Sequence, residues 1–260
     1  MRQIVGEIGA EAVPDPQRVA GQGAKAALPK RFYKLATSEA TERGHELRLD
    51  GRPARTPGRS PLAVRSVAIG QAIAAEWNAQ VERIDPFSMP LTRTANSAID
   101  GVAGRMDEVR ADIAAFAGSD LLCYRADDPD GLVWRQREAW DPVLDRFATD
   151  HGARFTLQTG IMPVEQPDAA LAAIRARLDR IDDALTLAAL HVATTLTGSA
   201  LLALAVLDGW LGAEAAWAAA HVDEDWNIAL WGRDDEAGAR RAQRWRDMAA
   251  AALILTDAGE

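Results

Sequence analysis

Acidic and aromatic residues near the carboxyl end form the pattern that most suggests a functional site. The segment HVDEDW, residues 221–226, carries Asp223, Glu224 and Asp225 beside Trp226. Spacings of four, three, four and three predict one helical stripe within a single helix over Ala213–Leu230, formed by Trp217, His221, Glu224, Ile228 and Trp231. A carboxylate among Trp and Ile is costly unless it is paired or lies at a wet edge.

Three interpretations of Glu224 stay open on the sequence alone. It can form an internal salt bridge with an arginine such as Arg93 or Arg125. It can also be a charged contact at the rim of an aromatic recognition surface, where partner contacts concentrate on aromatic and charged side chains. The third interpretation is a general acid with a raised pKa, which would make the chain a small-molecule enzyme using nearby Asp or His.

Other catalytic chemistry has little support. Metal-ligand spacing is absent around the four histidines, which are His45, His151, His191 and His221, and Cys123 has no companion thiol. We also find no phosphate-binding glycine loop and no GxSxG motif. The sequence therefore predicts no metal, no cofactor and no catalytic residue.

Composition limits the partners. The chain has 260 residues and a formal charge of −9, which disfavours nucleic-acid binding. A single cysteine fits a reducing compartment. The first residues carry Glu7, Glu11 and Asp15 without an apolar core, so we expect neither a signal peptide nor a transit peptide.

The order of predicted elements indicates an α+β fold, with a small β-rich domain before a larger helical one. Residues 1–28 read as a flexible tail, 29–65 as the β-rich N-terminal domain and 66–260 as the α-helical C-terminal domain. Asp50-Gly51 is a hairpin turn signal in the β part, and the arginines that follow it suit a solvated hairpin. Helical patterns run over Val67–Arg83, Met106–Ala117, Trp134–Asp150, Asp168–Arg180, Asp183–Leu207, Ala213–Leu230 and Asp234–Leu255.

Two of these segments need comment. In IDPFSMPLTRTANSAID, residues 84–100, Ser88 is a candidate cap and Pro90 suits the first turn of a short helix. Ala184–Leu207 has no charged residue over 24 positions, long enough to span a bilayer. Its polar residues and the acidic flanks favour a central buried helix instead, so we expect no membrane insertion.

Several irregular segments together resemble the ATP12 chaperones of F1-ATPase assembly, in order from Pro29 to the end. They are PKRFYK, LDGRPARTPGRSPL, EWNAQ, IDPFSMPLTRTANSAID, SDLLCYRA, QREAWDP, LTGSALLALAV and HVDEDWNIALWG. Two positions depart from the family pattern as we read it, Thr94 in place of a leucine and Asn227 in place of a glutamine.

The resemblance implies a function that composition does not. It implies an assembly chaperone, not an enzyme, that binds the free α subunit of the F1 sector of ATP synthase and releases it to the β subunit without ATP hydrolysis. It implies that Trp77 of EWNAQ is functionally important, and likewise Glu224, or Asp223, of HVDEDW, with Trp226 beside them. The motif residues Glu76, Gln80, Arg93 and Asn96 go with Trp77. We expect a free monomer in a bacterial cytoplasm, or in the mitochondrial matrix if the chain is a processed organellar form.

Overall fold

The computed structural model describes residues 28–160 and 162–259, which divide into two compact units, one ending at Gly104 and the next beginning at Arg105. The predicted tail, apart from Leu28, lies outside these residues. A small β-sheet followed by a mainly helical region confirms the predicted fold class. The first unit also contains two helices that follow residue 65, and the domain boundary proposed at that residue remains a prediction.

The first unit is built on an antiparallel sheet. Its strands are β1 (Ala36–Thr41), β2 (Gly44–Leu49), β3 (Arg52–Pro53) and β4 (Ala63–Val64). β2 pairs with β1 along one edge and with β3 and β4 along the other. Asp50 and Gly51 both have positive φ between β2 and β3, as the Asp-Gly signal predicts.

Two helices accompany this sheet, α1 (Val67–Asn78) and α2 (Pro90–Asp100). Helix α1 packs on β1 and β2 and is capped by Ser66, whose side chain accepts a hydrogen bond from the Ile69 N–H. A side chain at Gly70 would place its Cβ 2.6 Å from Ser38 Oγ and 2.8 Å from His45 Cβ. Gly70 therefore sets how closely α1 approaches the sheet.

The second unit is helical apart from a two-stranded parallel pair, β5 (Tyr124–Arg125) and β6 (Gln158–Thr159). Its helices are α3 (Met106–Ala117), α4 (Asp130–Asp150), α5 (Asp168–Leu178), α6 (Ala184–Thr197), α7 (Ala200–Leu207), α8 (Ala213–Ala220), α9 (Val222–Trp231) and α10 (Asp235–Gly259). Helix α7 is buried at all eight positions, and α6, α10 and α8 pack against it. Among the described residues, no helix combines the length and apolarity that crossing a bilayer requires.

Three helices end at least five residues earlier than the sequence pattern predicts. The uncharged run is two helices, because Gly198 adopts φ 69° and Ser199 then caps α7 by accepting from the Leu202 N–H. Helix α1 stops at Asn78 and not at Arg83 as predicted, so Val81 lies outside it and is exposed. The third early end is at His221, within the predicted site.

Candidate partner-binding site

The predicted site is divided between two helices. His221 ends α8 with φ −119° and ψ 21°, and α9 begins at Val222. Its Nδ1 lies 2.7 Å from the Trp217 carbonyl oxygen, which the His221 N–H would bond in a continuous helix. The imidazole N–H thus takes the place of the main-chain N–H that would form this hydrogen bond in a continuous helix. The single stripe from Trp217 to Trp231 is therefore wrong, and Trp231 is 85% exposed.

Asp223 anchors α9 to α4. Its Oδ1 accepts a 2.8 Å hydrogen bond from the Nε2 of Gln136, a buried residue of α4. The other side of that amide accepts from the Ala126 main-chain N–H at 2.9 Å. Asp223 is exposed in spite of this contact, so it has one oxygen committed and the rest of its carboxylate near solvent.

Asp225 anchors α9 to α10. The Arg241 guanidinium donates to both of its carboxylate oxygens, with the Nη2–Oδ2 distance at 3.0 Å. This paired geometry is the strong, orientation-specific form of an arginine–carboxylate contact. It also raises the pKa of Arg241, mainly through the hydrogen bond to Asp225.

Glu224 lies between these two anchored carboxylates and is itself less committed. Its side chain is 42% exposed, and its oxygens are 3.8 Å from Arg241 Nη1 and 3.9 Å from His221 Nε2. Both distances exceed hydrogen-bond range. Of the internal salt bridge that was one interpretation of Glu224, the structure shows a loose pairing with Arg241, and Arg125 pairs with Asp141 at 2.7 Å.

His221 is a neutral neighbour of this carboxylate. Burial lowers its pKa, and the nearby Arg241 and Arg244 lower it further, against the opposing effect of Glu224. Because the Trp217 carbonyl can only accept, Nδ1 carries the proton. The charge of Glu224 is therefore not cancelled by an imidazolium at neutral pH.

Trp226 fixes the same helix on the side of α4. A Cβ built at Gly131 would lie 2.7 Å from Trp226 Cη2, so only a glycine admits the indole there. The Arg135 guanidinium lies 5.0 Å from the centre of the ring, within cation–π range. The indole is half-buried, so part of it faces solvent.

A shallow groove of about 340 Å³ runs beside these residues. Its walls are mostly small or apolar, with charges at the rim, and comprise Trp134, Arg135, Glu138, Ala139, Ala218, Val222 and Asp225. Trp134 is among the large apolar side chains that the surface exposes. Trp134, Arg135 and Asp225 thus bring an exposed aromatic ring and charges together at this groove, a composition typical of recognition surfaces.

The EWNAQ motif lies in the first unit and builds a turn. The Glu76 carboxylate accepts hydrogen bonds from the main-chain N–H groups of Leu91 and Thr92 at 2.7 and 2.8 Å. It therefore caps α2, the role that we predicted for Ser88, which instead donates to the Asp85 carbonyl. Burial raises the pKa of Glu76 against these hydrogen bonds.

Trp77 and Gln80 hold the same turn. The Trp77 indole N–H donates to Thr92 Oγ1 at 3.2 Å, and its ring lies 5.5 Å from that of Tyr33. Buried Gln80 accepts from the Asp85 N–H and donates to Ser88 Oγ. Arg93 and Asn96 are half-buried on α2, and the Arg93 charge lowers the pKa of Glu76. Glu76, Trp77 and Gln80 thus form one structural network.

Sequence reasoning missed a buried carboxylate that joins two family segments. Asp120 accepts from Ser199 Oγ at 2.7 Å and from the main-chain N–H groups of Leu122 and Leu201, each at 3.1 Å. Burial raises its pKa to about 6. The Ser-Asp before an apolar run was a readable cap signal, but its long-range partner was not.

Within the part of the chain that the structure describes, no group of three His, Cys, Asp or Glu residues is placed to hold a metal ion. The fold and the site define a protein with a small sheet unit and a helical unit, the latter carrying a groove lined by aromatic and charged side chains.

Comparisons with known proteins identify this class. A model of the ATP12 chaperone protein family matches residues 30–148. A crystal structure of Atp12 from Paracoccus denitrificans is 42% identical, with a TM-score of 0.81 over 88% of this chain and 98% of that chain. The Atu1473 protein from Agrobacterium tumefaciens is 49% identical, with a TM-score of 0.85 over 94% and 92% of the two chains. The mitochondrial protein atp12 of Schizosaccharomyces pombe is 21% identical over 87% of this chain and 82% of its own.

The chain belongs to the ATP12 chaperone family. It is a non-enzymatic assembly chaperone for F1-ATPase, and this sets aside the acid–base interpretation of Glu224.

Proposed function

We propose that this chaperone binds the free α subunit of F1 through the α9 surface and holds it until the β subunit replaces the chaperone, without ATP hydrolysis. The contact residues are Glu224, Asp223 and Trp226. The observation that carries the proposal is the difference in hydrogen bonding among three successive carboxylates. Asp223 and Asp225 are bonded to neighbouring helices, whereas Glu224 is half-exposed and has no hydrogen bond of ordinary length among the described residues.

Burial and charge support Glu224 as the central contact. A carboxylate that already had a bidentate arginine would lose that partner on binding, and exchanging one ion pair for another gives little net affinity. Glu224 has no such partner to lose. Asp223 adds a second negative charge, and the exposed part of Trp226 adds an apolar surface that can be covered by a partner.

The physical task of the chaperone explains a modest surface. A subunit taken from a ring exposes apolar area that invites aggregation until the ring forms. The chaperone must cover this area but bind less tightly than the final neighbour, or assembly would stop. A shallow groove with a few charges meets both conditions better than a deep pocket does.

A binding experiment with isolated subunits tests the proposal. Purified chaperone is immobilised and offered F1 α, F1 β, or α followed by a titration of β. We expect α alone to be retained and β to release it without nucleotide. Retention of β instead of α, or release that depends on ATP hydrolysis, would overturn the proposal.

Variants locate the contact. Glu224→Ala is expected to weaken binding of α about tenfold or more, equivalent to about 1.4 kcal/mol. The matched control is Glu214→Ala, which removes another solvent-exposed carboxylate from the first turn of a neighbouring helix. If both variants bind α as the unaltered chain does, the contact is not at Glu224.

We further propose that the free chaperone is a monomer and acts in a bacterial cytoplasm. Similarity to proteins of Paracoccus denitrificans and Agrobacterium tumefaciens supports the bacterial setting. Sedimentation of the purified chain and fractionation of the source cells test the two statements separately.

A further inference from the structure

The first unit carries a basic and apolar cavity that the proposed α9 contact does not use. Residues 29–31 run antiparallel to residues 82–84, with the Arg31 N–H bonded to the Glu82 carbonyl and the Ile84 N–H bonded to the Pro29 carbonyl, both at 2.9 Å. Lys30 and Arg83 form the bridge between these bonds. A cavity of about 510 Å³ opens beside them.

The bridge places two cations directly opposite each other. In a pair flanked by hydrogen bonds in this way, the two side chains are at their closest cross-strand approach. Like charges in that position are destabilising. Arg83 turns part of its guanidinium to the Leu28 carbonyl at 2.6 Å, but the Lys30 ammonium has no ion-pair partner within the described residues. An anion beside Lys30 would relieve this repulsion.

The other cavity walls narrow the chemistry of that anion. Arg31 lines the cavity, but its guanidinium already donates to the carbonyls of Tyr33, Lys34, Asn78 and Gln80. Its charge therefore acts at a distance, and its N–H fork is not free for a phosphate. The available donors suit a single carboxylate, and Glu82 is the one acidic residue among the described residues that line the cavity.

Apolar surface adjoins the same cations. Val81 lines the cavity and is 79% exposed, and Phe32, next to Arg31 in the chain, is 72% exposed. The Phe32 ring meets the Tyr33 ring edge-on, with 5.4 Å between the two ring centres. Exposed apolar side chains beside cations, one of which has no ion pair among the described residues, fit a partner that supplies both an acidic and an apolar group.

We propose that the cavity formed by Lys30, Arg31, Tyr33, Val81, Glu82 and Arg83 is a second contact with the client, the F1 α subunit, and binds an acidic and apolar segment of that subunit. A carboxylate of the segment lies between Lys30 and Arg83, and an apolar side chain of the segment covers Val81 and Phe32. The identity of the client rests on the function proposed above. The chemistry of the segment rests on the charges and exposed side chains of this cavity.

One test uses a peptide and does not depend on the client. A capped peptide of alternating leucine and glutamate is titrated into the isotope-labelled full chain, and amide shifts are followed by NMR. We expect shifts at Lys30, Val81 and Arg83 that saturate, weaken with added salt and are absent for a leucine–lysine peptide. Equal shifts with both peptides, or none with either, would overturn the proposal.

A second test uses purified F1 α. Lys30→Glu and Val81→Asp are each expected to weaken binding by about fivefold or more at low salt. Arg52→Glu makes the same charge change at an exposed position of β3 and is expected to leave the affinity within about twofold. Binding that Glu224→Ala weakens and Lys30→Glu leaves intact would disprove the cavity contact but leave the α9 proposal standing. If α does not bind at all, the α9 proposal fails and the peptide titration decides the cavity alone.

Discussion

The carboxylate of Glu76 caps a helix to which it does not belong, by accepting hydrogen bonds from both the main-chain N–H and the hydroxyl of Thr92. Helix α2 begins at Pro90 with Met89 before it, and Met89 offers no side-chain cap. The last turns of α1 therefore supply what the local sequence of α2 lacks.

Glu76→Gln tests this cap. A glutamine has one acceptor in place of two and would turn its own N–H groups toward a main-chain donor. We expect a loss of about 1.5–3 kcal/mol in the free energy of unfolding, measured by urea titration. Glu42→Gln, in an exposed turn of the first unit, is the control and should change stability by less than about 0.5 kcal/mol. Similar stability of the two variants would show that the cap contributes little.

Trp77 is placed to support folding more than to contact a partner. Trp77→Arg is expected to remove soluble folded protein, because a charge would replace an indole that packs on Tyr33 and bonds Thr92. Trp77→Phe keeps an aromatic ring but loses the indole N–H, and it should lower the free energy of unfolding by about 1–2 kcal/mol. Yield, circular dichroism and urea unfolding measure both. A Trp77→Arg protein that is folded but does not bind α would move Trp77 to the interface.

Gly131→Ala tests whether Trp226 holds α9 in place. Alanine is the better helix former by about 1 kcal/mol, so propensity alone predicts a more stable chain. The new Cβ would meet Trp226 Cη2 at 2.7 Å, and we expect instead a less stable chain with weakened binding of α. Gly104→Ala, with no atom within 4 Å of its Cβ, is the control. Stability gained at Gly131 would contradict the packing.

Asp120 makes part of the stability depend on pH. Its folded pKa, about 6, lies above the ordinary value of 3.8 for an aspartate, so the folded state holds the proton more tightly than the unfolded state does. The stability contributed by this protonation is fully present below about pH 4 and is lost as pH rises through about 6. The difference in unfolding free energy between the unaltered chain and Asp120→Asn should therefore be larger at pH 4 than at pH 7. A carboxyl titration by NMR checks the pKa directly, and a value near 4 would contradict it.

Cys123 provides a probe of the same region. Burial, with Asp120 adding to it, raises the pKa of the thiol to about 12, and the side chain is fully buried. We expect no reaction with Ellman's reagent at pH 8 until the second unit opens, since the thiolate is the reactive form. Complete labelling within seconds in the absence of denaturant would show that the thiol is accessible.

Local patterns predicted the elements that local chemistry determines. Asp50 and Gly51 marked their hairpin, and the apolar run of 184–207 indicated a buried helix. Its break at Gly198-Ser199 was also readable, since a left-handed glycine followed by a capping serine ends one helix and begins another. The prediction of one helix missed this signal, because the period of the apolar residues continues across the break.

Long-range pairing set the rest. The sequence indicated Glu224 by its place among tryptophans, but not that its carboxylate lacks the close hydrogen bonds of its neighbours. Those neighbours are bound by residues far along the chain: Gln136 is 87 residues from Asp223, and Arg241 is 16 residues from Asp225. His221 broke the predicted helix through its own side chain. The cavity beside Lys30 and Arg83 depends on a strand pairing that neither segment indicates alone.

The two anchors of α9 also bear on how quickly a client could leave. Helix α9 is fixed to α4 through Asp223 and to α10 through Asp225, so the backbone that carries Glu224 has little freedom to surrender when a ligand arrives. A preorganised contact of this kind loses little conformational entropy on association and needs few interactions to reach a useful affinity. Few interactions also mean few to break, which permits a short residence time. The rigidity of α9 is thus compatible with a chaperone that must hold its client and then let it go.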